Sequence, residues 1–201
     1  MEEKQSAYYG QYYIPLQNLE QEILQWLRKL VDAYAKQAGE TPVEHIRSRI
    51  KTAEGMQEKL HKKGFETTAD SALANVSDIV GFRLVTHFVG EVYDIVERMK
   101  QDGTFRVVKE KDYIANPKPN GYRSLHLTIR LPVFFAEKEI HVPVEIQLRT
   151  IAMDFWASLE HTIRYKKNFP INAEVETELK ECADSSREWD GKMEHLLHIL
   201  T

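Results

Sequence analysis

The chain has 201 residues, of which 42% are hydrophobic and 29% charged, and its formal net charge is -4. This length and composition suit one ordered domain with a substantial core, and the acidic balance argues against a dedicated nucleic-acid-binding protein. Cys182 is the single cysteine, which excludes an intrachain disulfide and an all-cysteine metal site. No apolar run approaches the roughly 18 residues of a membrane helix. We therefore expect a cytoplasmic protein with no membrane partner.

The first helix is predicted over residues 15–38. Apolar residues recur there every three or four positions, and Gly39 follows as a stop. The stripe comprises Leu16, Leu19, Ile23, Leu27, Leu30 and Tyr34, widened by Trp26 and Val31. A similar apolar surface near the C-terminus comprises Leu179, Trp189, Met193, Leu196, Leu197 and Leu200. Because a monomer would leave much of this surface in water, we expect the terminal helices to form a homo-oligomer.

A second helix is predicted over residues 42–63, because Thr41 resembles an N-cap, Pro42 a first-turn proline and Glu44 a capping-box residue. The remaining predicted elements are a helix at 69–77, strands at 80–88 and 105–114 around a helix at 91–102, strands at 124–131 and 140–148, and helices at 151–167 and 173–199. Helices before, between and after a mostly antiparallel sheet of four or five strands indicate a single α+β domain.

Two of these strands have strictly alternating polarity. Residues 124–131 and 140–148 place apolar side chains on one face of the sheet and polar side chains on the other. The polar set that could share one exposed face comprises Tyr122, Ser124, His126, Glu145, Gln147 and Arg149. This pattern is typical of an active-site floor.

Basic residues form a stripe on the predicted second helix. Lys51, Gly55, Lys59 and Lys62 fall on one face, away from an apolar stripe that includes Met56. Three lysines around a glycine would suit a polyphosphate, because the glycine lets a ligand approach the backbone. On spacing alone, a solvated helix face is the more common explanation.

Two carboxylates are candidate metal ligands. Asp78 precedes a strand that carries Arg83, so it could hold Mg²⁺ while the arginine contacts a phosphate or a base; local hydrogen bonding is the commoner role of such an aspartate. Glu145 lies in an apolar run, where an unpaired charge is costly. Arg149, a lysine or a metal ion must therefore compensate it, and a plain salt bridge is the simpler alternative.

Further cations are predicted to converge beside Tyr122. Lys109 and Lys111 share a strand face, and Lys118 lies in the proline- and glycine-containing loop before Tyr122. The tyrosine ring could stack on a purine, although a buried structural aromatic is equally compatible with the pattern. The chain has no Gly-rich phosphate loop and no dinucleotide-binding fingerprint, so side chains would have to hold any phosphates.

Six segments together resemble the small alarmone synthetases, the single-domain branch of the RelA/SpoT family. They are HIRSRIK at 45–51, DIVGFR at 78–83, KDYI at 111–114, KPNGYRSLH at 118–126, VEIQLRT at 144–150 and MDFWASLEH at 153–161. The stretch at 154–161 resembles the RelP type of this branch. The resemblance spans about 40–167 and implies a nucleotidyltransferase-like catalytic core there, with helices at 15–38 and 173–199 for oligomerisation. It also implies a homotetramer.

The resemblance implies transfer of pyrophosphate from ATP to the 3′-hydroxyl of GTP or GDP, with release of AMP, in the stringent response. The implied ATP-binding residues are Arg49 and Arg83 on adenine, and Lys51, Gly55, Lys59 and Lys62 on the phosphates. The implied GTP- or GDP-binding residues are Tyr122 on guanine, Asp154 at its edge, and Lys111, Lys118, His126 and Gln147. Asp78 and Glu145 would bind Mg²⁺, and Glu145 would also accept the proton of the hydroxyl.

Some departures and alternatives stay open. Gly55 replaces a serine found in many relatives, and the Lys109-Glu110-Lys111-Asp112 run leaves the choice between GTP and GDP undecided.

Two competing hypotheses remain: a toxic relative acting on tRNA or adenine nucleotides, and a catalytically silent nucleotide or RNA sensor. The intact guanine-site segment disfavours the first, and retention of Asp78 and Glu145 disfavours the second. RNA or a small molecule remains open as a regulator.

Overall fold

A computed structural model of the chain describes residues 2–135, 138–165 and 172–200. Its central feature is a five-stranded sheet with helices before, between and after the strands. The strands are β1 Val43–Ile50, β2 Val80–Thr86, β3 Val107–Asp112, β4 Leu125–Phe135 and β5 Lys138–Thr150. The helices are α1 Glu2–Tyr9, α2 Tyr13–Ala38, α3 Ala53–Lys62, α4 Ala69–Asn75, α5 Val89–Asp102, α6 Ile151–Tyr165 and α7 Ala173–Leu200, and a 3₁₀ turn at Gly10–Tyr12 joins α1 to α2.

The strand order is β1-β2-β5-β4-β3. Strands β2 and β5 pair in parallel, while the other three neighbouring pairs are antiparallel. A parallel pair requires a long crossover, and the chain between β2 and β5 contains α5, β3 and β4. The predicted α+β class with a mostly antiparallel sheet is confirmed.

One face of the sheet forms the core. Apolar residues of all the central strands pack there with the inner faces of α2 and α5 in one continuous cluster. The inward residues of α5 include Val92, Ile95, Val96 and Met99, each of which is at most 2% exposed. The alternation in β4 and β5 follows from this packing, because residues of opposite parity point to the other face of the sheet.

The predicted helix over 42–63 is wrong in its first half. Residues 43–50 form the edge strand β1, which pairs along its length with β2, and the helix starts only at Ala53. The true N-cap is Thr52, whose hydroxyl accepts a hydrogen bond from the Gly55 amide. Apolar residues at positions 43, 46 and 50 fit a helical period, but the long-range pairing with β2 overrides that local pattern.

The other predicted elements are confirmed with shifts of a few residues at their ends. Gly39 and Gly103 are the C-terminal caps of α2 and α5, as predicted, and both have the left-handed conformation. Helix α1 was not predicted from the sequence. Residues 166 and 167 of the predicted helix at 151–167 lie outside the described residues. Within the described ranges, no helix is both long and apolar enough to cross a membrane.

The apolar stripe of the first helix is not a free surface. Its leucines and isoleucine are buried in the core of the same chain, and Val31 is buried with them. Trp26 packs on Phe105 and donates a hydrogen bond to Asp102. The expectation that this stripe forms an oligomer interface is therefore wrong, because the sheet covers it.

Two isoleucines of α2 provide a matched test of this packing. Ile23 is completely buried, whereas Ile14 is 63% exposed. We expect Ile23→Ala to lower the free energy of unfolding by about 2–5 kcal/mol, because it leaves a cavity. Ile14→Ala should change it by less than about 0.5 kcal/mol. Urea denaturation of both variants checks this, and equal losses would contradict the described orientation of α2.

Candidate active site

The polar face of the sheet carries two transverse rows of side chains. In-register partners lie on the same face of a sheet, so each row can be read across all five strands. One row runs Arg49, Gly81, Glu145, Thr128 and Lys109, and the next runs Arg47, Arg83, Gln147, His126 and Lys111. Cations therefore occupy both ends of each row, with the Glu145 carboxylate at the centre of the first and the Gln147 amide at the centre of the second. Gly81 leaves space beside Glu145, because an added Cβ there would meet nothing closer than 4.0 Å.

Asp78 lies before β2, between two lysines. Lys51 Nζ is 2.9 Å from Oδ2, and Lys59 Nζ is 2.7 Å from Oδ1. Burial by itself raises the pKa of Asp78, but the hydrogen bond from Lys59 and the charge of Lys51 outweigh it and hold this pKa below its ordinary value. Asp78 is therefore a fully ionised carboxylate near neutral pH, with a cation on each oxygen.

Glu145 belongs to a closed ring of five polar side chains. Its Oε1 lies 3.6 Å from His126 Nδ1, and its Oε2 accepts a 2.7 Å hydrogen bond from Gln147. The ring continues as Arg149 donates to Gln147 Oε1 at 3.1 Å and to the Tyr122 hydroxyl at 2.7 Å. It closes where the Tyr122 hydroxyl meets His126 Nε2 at 2.8 Å.

The two ring nitrogens of His126 face different partners. A guanidinium can only donate, so the Tyr122 hydroxyl accepts from Arg149, and its own proton is available for His126 Nε2. The other nitrogen, Nδ1, faces Glu145. Burial raises the pKa of Glu145, but His126 and Gln147 outweigh it and lower this pKa below its ordinary value. Glu145 is thus also ionised.

The compensation of Glu145 differs in part from expectation. Arg149 does not contact it directly and reaches it through Gln147. Arg149 instead shares Asp154 with Arg83: its Nη1 lies 3.2 Å from Asp154 Oδ1, and Arg83 Nη1 lies 3.0 Å from the same oxygen. Asp154 therefore balances two neighbouring guanidinium groups.

Tyr122 lies where the loop, the sheet and two helices meet. Lys118 Nζ is 4.6 Å and Arg149 Cζ is 5.1 Å from the centre of its ring, and Lys118 also contacts Tyr113 at 4.8 Å. Behind the ring, Trp156, Ala157 and Ala183 form a small apolar cluster. Of the three lysines predicted to converge beside Tyr122, Lys118 contacts its ring, Lys111 Nζ lies 5.9 Å from the neighbouring Tyr113 ring, and Lys109 lies opposite Thr128 in the row that contains Glu145.

Two members of the predicted polar face are not exposed. Ser124 is completely buried and donates to the Leu148 carbonyl, and Arg149 is 5% exposed. Both lie at the end of the sheet that α6 and α7 cover, through contacts such as Thr150 with Asp190 and Ser186 with the Ala152 carbonyl. The covering helices could not be placed from the strand pattern alone.

The basic stripe is only partly assembled. Lys51 and Lys59 meet at Asp78, but Lys62 lies further along α3 and contacts Glu58 at 2.7 Å. The backbone amide of Gly55 is engaged by the Thr52 cap, so the backbone contact expected there would compete with that cap.

Sequence reasoning missed the attachment of α7 to the loop before Tyr122. Arg123 is 7% exposed and donates to the Ala183 carbonyl at 2.8 Å. Gly121 has a φ of +87°, and a Cβ there would lie 2.5 Å from that of Ala183. The Asn120-Gly121 pair favours a left-handed turn and was the available signal, but the packing partner of Gly121, Ala183, lies far away in sequence.

A family model described as the region found in RelA / SpoT proteins matches residues 48–169. The chain belongs to the RelA/SpoT family. A relative within it, the GTP pyrophosphokinase YwaC of Bacillus subtilis strain 168, is 47% identical over 155 residues, which are 77% of this chain and 74% of that protein.

Solved structures of RelA/SpoT family members share the fold. Small alarmone synthetase 1 of Bacillus subtilis, bound to its product pppGpp, matches with a TM-score of 0.85 and 29% identity over 94% of this chain and 96% of that one. Small alarmone synthetase 2 of the same organism matches with a TM-score of 0.77 and 39% identity over 93% and 98% of the two chains. These likenesses confirm the fold class and the resemblance read from the motifs.

The donor set near Gly81 fits a divalent cation that is shared with a substrate. Among the described residues, no group of three or more His, Cys, Asp or Glu side chains could hold a metal by itself. Asp78 and Glu145 are ionised and close enough that the charge of Asp78 raises the pKa of Glu145. Mg²⁺ is commonly held by one or two carboxylates together with phosphate and water oxygens. The two carboxylates therefore fit Mg²⁺ in the presence of a polyphosphate.

The contact between Gly121 and Ala183 can be tested against a glycine of the same conformation. Gly39 has a φ of +86° and no atom within 4 Å of an added Cβ. Gly39→Ala should cost about 1–2 kcal/mol of stability from the left-handed backbone alone. Gly121→Ala should cost about 1–3 kcal/mol more, because α7 or the loop must move. Thermal unfolding measures both, and equal losses would show that α7 does not press on this loop.

Proposed function

We propose that this protein is a (p)ppGpp synthetase, which transfers pyrophosphate from ATP to the 3′-hydroxyl of GTP or GDP and releases AMP. One observation carries the proposal. Two ionised carboxylates, Asp78 and Glu145, lie near Gly81, with the lysines of α3 and the β1–α3 junction on one side and a tyrosine with its cations on the other. The GTP pyrophosphokinase name of YwaC and the pppGpp-bound relative support this reading.

The donor nucleotide is assigned to the side of β1 and α3. Lys51 and Lys59 would leave the oxygens of Asp78 and contact the phosphates of ATP, with Lys62 further along the same helix. Arg49 and Arg83 lie on adjacent strands, and the residue paired with Arg49 is Gly81, which has no side chain. Adenine would fit between the two guanidinium groups, in the space that Gly81 leaves. Gly55 lies in the first turn of α3, where its lack of a side chain keeps the approach open.

The acceptor nucleotide is assigned to the side of β4 and the loop at 116–121. Guanine would stack on Tyr122 in place of Lys118 or Arg149, and Asp154 would accept hydrogen bonds from the edge of the base. Lys118, once displaced, and Lys111 would contact the phosphates. His126 and Gln147 hold the intervening ring of hydrogen bonds next to Glu145.

The reaction forms a bond between the 3′-oxygen of the acceptor and the β-phosphorus of ATP, and it breaks the bond from that phosphorus to the oxygen that leaves with AMP. Glu145 accepts the hydroxyl proton, and its contact with His126 Nδ1 holds the carboxylate in place. Mg²⁺, held by Asp78 and Glu145, would neutralise charge that develops on the phosphate oxygens. Lys51 and Lys59, once released from Asp78, would help to neutralise the same charge.

The assay that tests the proposal uses labelled ATP and Mg²⁺ with GTP, GDP, ATP or tRNA as acceptor. Guanine nucleotides carrying a new 3′-pyrophosphate, formed together with AMP, support the proposal. Product on tRNA or adenine nucleotides alone would replace it with the toxic-relative hypothesis, and no product on any acceptor would favour a silent sensor.

Glu145→Gln should abolish turnover while ATP binding stays within about tenfold, because the change removes the charge at the metal and at the proton acceptor but leaves the lysines and arginines intact. Glu139→Gln, on the same strand but with a side chain 45% exposed, is the matched control and should keep full activity. Turnover is measured as AMP release and ATP binding by calorimetry. Residual activity above a few percent in Glu145→Gln would rule out this role.

We also propose that the protein works as a homotetramer in the stringent response, assembled through α6 and α7. Two apolar stripes on these neighbouring helices are exposed, including Phe155 at 65% and Trp189 at 69%. The α6 stripe comprises Ile151, Phe155, Leu159 and Ile163, and the α7 stripe comprises Trp189, Met193, Leu196 and Leu200. Contiguous exposed apolar surface of this kind is characteristic of an interface.

Light scattering tests the assembly. The unmodified chain should give a multiple of 23.5 kDa, with four copies expected, whereas Phe155→Glu combined with Trp189→Glu should give 23.5 kDa because it places charges in the interface. Ile14→Glu introduces the same charge at an exposed residue of α2 and should leave assembly unchanged. A mass of 23.5 kDa for the unmodified chain at micromolar concentration would refute the proposal.

A further inference from the structure

The N-terminal helix α1 holds the end of β1, although it precedes the matched region at 48–169. Gln5 donates its side-chain amide to the Ile50 carbonyl at 3.0 Å, and the Tyr9 hydroxyl donates to the Lys51 carbonyl at 2.8 Å. Lys4 contacts Glu54 of α3 at 3.1 Å on the surface. Two consecutive backbone carbonyls, at the point where β1 turns into α3, are therefore bound by side chains of one short helix.

Lys51 is held at three points. Its amide donates to the Ile79 carbonyl at 2.8 Å, its carbonyl accepts from Tyr9, and its ammonium lies 2.9 Å from Asp78. The first and third partners are neighbours in sequence, so these two contacts align Lys51 with the segment that carries Asp78. The Tyr9 hydroxyl holds the next peptide group, on the other side of the Lys51 Cα. A lysine side chain has four flexible carbon–carbon bonds, so its reach is defined only as well as its backbone is.

Tyr9 is well suited to this contact. It is 1% exposed, and its ring packs edge-on against Tyr8 with 4.9 Å between centres. Burial raises the pKa of Tyr9, with further contributions from Tyr8 and from the negative charge of Asp78. The hydroxyl therefore keeps its proton at physiological pH and remains a donor.

We propose that Tyr9 is a positioning residue for the donor site: through its hydrogen bond to the Lys51 carbonyl, α1 sets where the Lys51 ammonium meets the phosphates of ATP. This inference rests on the proposed function, because it takes Lys51 as a ligand of the ATP phosphates. Tyr9 itself does not touch the substrate. Its effect is confined to the donor side, because its described contacts lie with the β1–α3 junction and α1 rather than with the acceptor loop.

Tyr9→Phe tests the proposal, since it keeps the buried ring and removes only the hydroxyl. We expect the KM for Mg·ATP to rise about three- to tenfold, which corresponds to the net contribution of one hydrogen bond, while kcat and the KM for GTP stay within twofold. Tyr12→Phe is the matched control. It removes a hydroxyl of the same N-terminal segment, one that donates to Asp70 rather than to the lysine peptide, and should leave the KM for ATP unchanged.

The outcomes separate positioning from general destabilisation. An unchanged KM for ATP in Tyr9→Phe, equal rises for both nucleotides, or the same rise in Tyr12→Phe would each overturn the proposal. Gln5→Leu provides a second variant, which loses the neighbouring bond to the Ile50 carbonyl and should raise the KM for ATP in the same selective way. If Tyr9→Phe does not fold, Gln5→Leu decides the question by the same criteria.

A binding measurement keeps this inference distinct from the proposed reaction. Calorimetry with a non-hydrolysable ATP analogue and Mg²⁺ needs no turnover. Weaker binding to Tyr9→Phe than to the unmodified chain, with Tyr12→Phe unaffected, supports the positioning role even if no acceptor is pyrophosphorylated. Equal binding by all three proteins rejects the role, whatever the assay of product formation shows.

Discussion

The parallel pairing of β2 with β5 is the constraint on which the site depends. It sets Gly81 beside Glu145 and Arg83 beside Gln147, and it brings the segment before β2 near the centre of β5. A slip of one residue would turn each of these side chains to the core face, so register and chemistry are fixed together. The core residues of β2 and β5 are almost completely buried, which makes such a slip costly. The apolar face of the sheet thereby holds the polar face in place.

Burial raises the pKa of both central carboxylates, Asp78 and Glu145, yet their polar partners lower both pKa values enough to keep the two groups ionised. Asp78 relies on two lysines, while Glu145 relies on His126 and Gln147. The difference matters for a site that receives a polyphosphate. Lysines are mobile cations that can move from a carboxylate to a phosphate when a divalent cation takes their place, whereas His126 and Gln147 are fixed in a ring of hydrogen bonds and stay with Glu145. The lysines on the donor side can therefore exchange one partner for another, whereas the contacts of Glu145 at the centre of the site stay the same.

Much of this arrangement could be predicted from local patterns, and the errors share one cause. Alternation in β4 and β5 predicted the polar face, and the position of Glu145 in an apolar run made it a candidate site residue. Residues 43–50 were misread because their apolar spacing fits a helix as well as an edge strand, and only the pairing with β2 decides between them. The burial of Ser124, the covered stripe of α2 and the bond from Tyr9 to Lys51 all join segments distant in sequence. No periodicity within one element carries that information. Lys51 and Lys59 come together at Asp78 although the helix was given the wrong start, because Lys51 lies just before α3 and is aligned by Ile79 rather than by helical spacing.

Asp154 makes the two proposed nucleotide sides electrostatically dependent on each other. One of its oxygens serves both Arg83, assigned to the donor, and Arg149, which faces the ring of Tyr122, assigned to the acceptor. Burial and the charge of Arg149 both lower the pKa of Arg83, so the two guanidinium groups repel one another and Asp154 offsets that repulsion. A guanine edge that engages Asp154 would weaken its hold on both arginines, and a base that stacks on Tyr122 would compete with Arg149 for the ring. Arg83 is partly buried, so losing part of its pairing with Asp154 would carry a cost, and occupation of the acceptor side would favour a new partner for Arg83. The π-face of adenine is such a partner. Binding of the acceptor nucleotide would therefore favour binding of ATP, and the reverse.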